Sequence, residues 1–121
     1  MVAIRYIVDD VERAVSFYRD LLGFEVQAHP APGFAALSRG ELWLYLNASG
    51  AGGGGRAGGS PGPGGWNRFQ LQVEDLEAAV KRLTGEGATF RSWITTGKGG
   101  QQILLEDPSG NPIELFELAG S

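Results

Sequence analysis

The chain has 121 residues, 42% of them apolar, with a net charge of −4 and a pI of about 4.9. Nucleic-acid binding rests on clustered Lys and Arg, and this balance argues against it. No apolar run reaches the ~20 residues of a membrane helix, and a chain without cysteine can form neither disulfides nor thiolate metal sites.

This length suits one domain, or two small modules sharing a core. The N-terminus lacks the basic, apolar, small-residue order of a secretory signal, so a cytoplasmic protein is expected. The acidity is compatible with a cationic small-molecule partner, and equally with a mildly acidic surface that keeps the protein soluble. His29 is the single histidine. A mechanism that needs two imidazoles from one chain is therefore excluded.

Alternation predicts a first strand over Met1–Val8, with Val2, Ile4, Tyr6 and Val8 on one face and Ala3, Arg5 and Ile7 on the other. A helix follows. Val11, Ala14, Val15, Tyr18, Leu21 and Leu22 have the i, i+3, i+4, i+7 spacing of one buried stripe. Asp9 and Asp10 stand where side chains cap the first turn, and Gly23 supplies a left-handed stop. Phe24–Ala28 is a short strand that Pro30 and Pro32 should break. His29 falls in the loop so formed and reads as a solvated surface residue.

Phe34–Arg39 and Glu41–Asn47 form a hairpin about Gly40. The second of these strands carries Leu42, Leu44 and Leu46 on the face expected under the helix. Glu41, Trp43, Tyr45 and Asn47 lie on the other. Aromatic and polar residues together suit a binding cleft, or the aromatics fill the inside of a closed sheet.

Residues 48–65 hold ten glycines in eighteen positions, with Pro61 and Pro63. So little side-chain burial cannot offset the ordering entropy, and the stretch reads as a linker. It lacks the spacing and the Lys-Ser/Thr ending of a phosphate loop. It could still act as a flap over a ligand.

Trp66–Val73 opens the second half, with Phe69, Leu71 and Val73 toward a helix and Arg68, Gln70 and Gln72 away from it. Three polar residues on one strand face are costly unless that face is wet or hydrogen-bonded. The next helix buries Leu76, Ala79, Val80 and Leu83, and ends at Gly85 and Gly87. Strands are expected over Thr89–Thr95, Gln102–Glu106 and Ile113–Leu118, with turns at Gly97–Gly100 and Asp107–Pro112. In the last strand Ile113 and Leu115 share one face, Glu114 and Phe116 the other.

The two halves repeat. Shifted by 65 residues, Val8-Asp9-Asp10-Val11-Glu12-Arg13-Ala14-Val15 lies on Val73-Glu74-Asp75-Leu76-Glu77-Ala78-Ala79-Val80. The order βαβββ, linker, βαβββ, the stretch Val8–Phe24 and the run Glu106-Asp107-Pro108-Ser109-Gly110-Asn111-Pro112-Ile113-Glu114-Leu115 together resemble the vicinal oxygen chelate superfamily. It includes glyoxalase I, extradiol dioxygenases, fosfomycin-resistance enzymes and bleomycin-resistance proteins.

The resemblance implies an α+β fold in which two βαβββ modules, 1–47 and 66–121, form a concave eight-strand open barrel-like sheet with the helices outside. It also implies a homodimer, whose contacts cover exposed sheet edges. Metal enzymes of this family take ligands from the concave face. Carried across, those positions fall near Ala3 and Trp43, on Arg68, and on Glu114. Ala and Trp offer no lone pair and Arg is a permanent cation, so no metal and no cofactor is expected. Arg68 and Glu114 should instead meet as an ion pair.

The reading is then a metal-independent binder of small molecules, similar to the bleomycin-resistance proteins, holding a cationic aromatic compound or antibiotic. Its candidate ligand-binding residues are Arg5, Glu41, Trp43, Tyr45, Arg68, Gln70, Glu114 and Phe116. Trp66 and Trp93 are further aromatics that could equally be core or dimer contacts. The alternatives are a metal-dependent lyase, transferase or dioxygenase, a metal-free enzyme with Glu114 as acid or base, and a dimeric structural partner with no ligand.

Overall fold

The computed structural model describes residues 1–51 and 58–120, so the middle of the glycine-rich linker, 52–57, lies outside the described residues. The described chain divides into two compact units, with a boundary at Gly64 and Gly65. The turn Pro108–Asn111 groups with the first unit.

The first unit runs β1 (Val2–Ile7), α1 (Val11–Leu22), β2 (Glu25–Ala31), β3 (Phe34–Arg39) and β4 (Leu42–Asn47). Its sheet has the order β1-β4-β3-β2, with β1 parallel to β4 and the other pairs antiparallel. α1 begins where the Asp10 carboxylate accepts the Arg13 N–H at 3.1 Å, and ends at Gly23 with φ of 72°. Both ends follow from the residue types: a short acceptor satisfies an orphan N–H, and a residue without Cβ takes the left-handed turn. Val11, Ala14, Val15, Tyr18 and Leu22 are buried as the spacing predicts. Phe17 joins them, packed edge-on against Tyr18 at 5.1 Å, and Leu21 stays half-buried. The core beneath is the face of Tyr6, Ala35, Leu37, Leu44 and Leu46.

β2 departs from expectation. It continues through His29 and Pro30 to Ala31 instead of breaking after Ala28. It is the outermost strand of its sheet, where the missing N–H of proline need not interrupt a ladder. Two register shifts against β3 absorb the irregularity. His29 is therefore an exposed residue of an edge strand, not of a loop.

The second unit runs β5 (Phe69–Gln72), α2 (Leu76–Gly85), β6 (Thr89–Phe90), β7 (Thr95–Thr96), β8 (Gly100–Glu106) and β9 (Pro112–Leu118). The order is β5-β9-β8-β6, with β7 also on β8 and β5 parallel to β9. Phe69, Leu71, Ile103, Leu105, Ile113 and Leu115 form one buried face, with Leu76 and Leu83 of α2 also in the core. Two carboxylates serve the start of α2. Asp75 accepts from the Ala78 N–H at 3.0 Å, and Glu117 of β9 accepts from the Leu76 N–H at 2.8 Å.

The single strand expected over Thr89–Thr95 is two short ones. The Arg91 N–H reaches the Leu104 carbonyl, and Thr95 pairs with Gln102. Four steps along this edge therefore oppose two on β8, and the chain bulges between them. Trp93 lies in the bulge, 89% exposed, so it is not core. Trp66 is not core either. It stands before a β5 that starts only at Phe69, with the Arg91 guanidinium 4.6 Å from its ring centre.

The turn after β8 is tied down by side chains. Asn111 donates to the Ile7 carbonyl at 2.8 Å and accepts from the Gly64 N–H at 2.7 Å, and Ser109 accepts from the Asp9 N–H at 2.9 Å. No helix among the described residues is long and apolar enough to cross a membrane.

Candidate functional site

Each unit turns one sheet face to its helix and the other away, and the candidate residues lie on the second. In the first unit Arg5 pairs across β1 and β4 with Tyr45, and its guanidinium sits 5.3 Å from the centre of that ring. Arg5 also donates to the side-chain oxygen of the buried Asn47 at 3.1 Å. Asn47 in turn donates to the Ala48 and Ala51 carbonyls, which fixes its orientation. Phe34 meets Tyr45 edge-on at 5.7 Å. Glu41 and Trp43 do not join this cluster. With Met1, Val2 and Leu42 they line an open groove of about 590 Å³.

In the second unit the cluster centres on Glu114, a buried carboxylate in the middle strand β9. Gln70 stands directly opposite it on β5 and donates to Oε2 at 2.7 Å. Arg68, two residues earlier on the same side, donates from Nε to Oε1 at 3.0 Å, so the expected ion pair is present. Arg68 Nη1 is engaged by the Trp66 carbonyl at 3.2 Å. On the other flank the Gln102 amide nitrogen, turned to donate, lies 3.0 Å from both Glu114 oxygens. Phe116 follows Glu114 on the same face and pairs with Gln102.

The two clusters occupy equivalent places. The 65-residue shift puts Gln70 on Arg5, and the cross-strand partner of Gln70 is Glu114, as that of Arg5 is Tyr45. Likewise Gln102 opposes Phe116 as Phe34 opposes Asn47. Gln102 and Asn47 are not among the candidate residues that the sequence offers. Gln102 could have been found by counting strand residues outward from the turn at 107–111, which pairs Leu104 with Glu114 and Gln102 with Phe116.

These donor sets do not fit a divalent cation. Ala3 and Trp43 are cross-strand neighbours with no lone pair to offer, and a guanidinium at 3.0 Å from Glu114 repels a metal. Both oxygens of Glu114 already accept N–H groups. Among the described residues no three His, Cys, Asp or Glu side chains come together as a metal site would require.

A family model for the Glyoxalase/Bleomycin resistance protein/Dioxygenase superfamily matches residues 1–115. The chain belongs to this superfamily. Its curated relatives include a glutathione transferase FosA of Serratia marcescens, 30% identical over 110 residues that make up 89% of this chain and 73% of that protein. A superfamily member from Sphaerobacter thermophilus has a solved structure 28% identical to this chain, with a TM-score of 0.78 over 95% of this chain and 94% of that one. TnmS3, an antibiotic binding protein from Streptomyces sp. CB03234, shares the glyoxalase fold at 23% identity, with a TM-score of 0.74 over 97% and 93%. A lactoylglutathione lyase from Agrobacterium tumefaciens does so at 20% identity and 0.76, over 97% and 92%. Superfamily membership thus spans binding proteins and enzymes, and the choice between them rests on side chains.

Proposed function

We propose that this superfamily member binds organic small molecules without a metal ion, on the sheet face turned away from the helix in each unit, with Arg5 and Tyr45 in the first and Arg68, Gln70, Glu114 and Phe116 in the second. The observation that carries the reading is the state of Glu114. It is the one carboxylate at a position where family enzymes ligate metal, and its oxygens are taken up by Arg68, Gln70 and Gln102. A carboxylate held by three donors has less capacity left to take a substrate proton, which counts against its use as a general base. Tyr45, Trp43 and Phe116 offer ring surface for a flat ligand. Glu41 beside Trp43 in the groove at Met1 and Val2 favours a cationic aromatic compound.

A homodimer and a cytoplasmic location belong to the same proposal. β1, β2, β5 and β6 are outer strands in their sheets, and outer strands invite cover. Light scattering at micromolar concentration should give twice the chain mass. The cysteine-free sequence suits a reducing compartment as well as any other.

Thermal unfolding of the purified full chain with a panel of cationic planar aromatics tests the function. A binder raises the midpoint in proportion to ligand concentration. At least one such compound should raise it by several degrees, equally with and without a chelator. Stabilisation that vanishes on chelation, or a stoichiometric transition ion by elemental analysis, would instead establish a metal site.

A further inference from the structure

We infer that Arg5 is a recognition site for the carboxylate of a small organic acid, on the face of the first unit that lies away from α1. The inference rests on the reading of that face as a binding face and names the ligand class it takes there. Arg5 is exposed on β1, yet its guanidinium is held at two points. Tyr45, its cross-strand partner on β4, has its ring centre 5.3 Å from the guanidinium carbon. Asn47, fully buried, accepts from Nη1 at 3.1 Å. The Asn47 amide is fixed in turn. Its nitrogen donates to the Ala48 and Ala51 carbonyls, both at 3.1 Å, and turning it over would set its oxygen against them. Two anchors remove in advance much of the rotamer freedom that an unheld arginine gives up on binding.

These anchors leave one edge of the guanidinium open. Its Nε–H and one Nη2–H run parallel in a single plane, and Asn47 engages neither. Among the described residues they have no partner, and no carboxylate pairs with the charge. The second unit differs. There Arg68 lies 3.0 Å from Glu114 and Arg91 lies 2.8 Å from Glu106. The repeat makes the contrast specific: Gln70 takes the place of Arg5, and opposite it stands Glu114 where the first unit has Tyr45. The first unit thus keeps a cation and lacks the anion, which the ligand supplies. Two parallel donors fit a carboxylate bidentately. A chain of net charge −4 favours that single negative charge over the double charge of a phosphate monoester. Phe34, edge-on to Tyr45 at 5.7 Å, adds ring surface for an aromatic acid. The groove of Glu41 and Trp43, where a cation is favoured, is lined by neither Arg5 nor Tyr45.

Benzoate, its neutral isostere benzamide and the cation benzamidine are titrated into the full ¹⁵N-labelled chain, with the Arg5 Nε–H signal assigned through its bonds to the backbone. Benzoate should shift that signal saturably and bind at least tenfold tighter than benzamide. Arg5→Met changes an exposed side chain and should weaken benzoate at least tenfold while the backbone spectrum stays dispersed. Tyr45→Glu copies the second unit's carboxylate into the first and should abolish the Arg5 shift, whereas Tyr45→Gln should weaken benzoate only severalfold. That comparison differs in charge alone and keeps the test open if Arg5→Met does not fold. An Arg5 signal that benzoate leaves unmoved, equal affinity for benzoate and benzamide, or unchanged benzoate binding in Arg5→Met would overturn the inference. Probe shifts confined to residues away from Arg5 would overturn it while leaving small-molecule binding standing. A spectrum that none of the three moves, in a chain that the cationic panel does not stabilise either, would overturn both.

Discussion

Glu114 is buried among donors, and the contribution of each partner differs. Removing the carboxylate with Glu114→Ala leaves Arg68, Gln70 and Gln102 with nitrogens turned toward an empty place, and should cost about 2–3 kcal/mol. Arg68→Met leaves Glu114 with two amide donors and should cost only about 1 kcal/mol. The double substitution should cost less than the sum, because the two residues share one network. Urea unfolding of the three variants checks the order. Gly100 illustrates a different constraint. Its φ is 150°, and a Cβ there would lie 2.0 Å from the Glu117 carbonyl oxygen, which is backbone and cannot swing aside. Gly100→Ala should destabilise by about 3 kcal/mol, read by the same unfolding curves.

At the scale of the element, the helices are defined by their first turns. Asp10 and Asp75 were recognisable because an acidic pair precedes an amphipathic stripe in both halves, and each accepts an N–H three residues on. Asp10→Ala and Asp75→Ala should each cost about 1 kcal/mol, seen as a lowered unfolding midpoint. Glu117, which also receives a first-turn N–H of α2, was not legible as a cap, since it lies 41 residues away on β9. The strands show the same division. β1, β4 and β9 keep the two faces read from the sequence. The continuation of β2 through Pro30 and the split of β6 from β7 depend on position in the sheet and on register against β8, which no window of the sequence contains.

For the whole molecule, the turn at 108–111 binds sequence-distant segments within the first unit. Asn111 is buried and satisfies both the Ile7 carbonyl and the Gly64 N–H. Asn111→Ala should cost about 2 kcal/mol or more by leaving both groups without this partner, and Asn111→Asp should not restore stability, since a carboxylate would face the Ile7 carbonyl. Denaturant unfolding compares the two.

The sequence by itself determined the α+β class, the 65-residue repeat, the superfamily, the helix starts and the meeting of Arg68 with Glu114. The class, the repeat and the helix starts follow from local periodicity and short capping patterns, while the superfamily and the meeting of Arg68 with Glu114 are what the resemblance carried by those motifs implies. Only the tertiary structure decided that Gln102 completes the carboxylate's partners, that Asn47 anchors Arg5, that Glu41 and Trp43 share a groove with the N-terminus, and that Trp66 and Trp93 lie outside the core. Hydrogen-bond partners across a sheet are set by register and by how far a turn or bulge displaces it. Those quantities arise when strands pair, and single residues do not carry them.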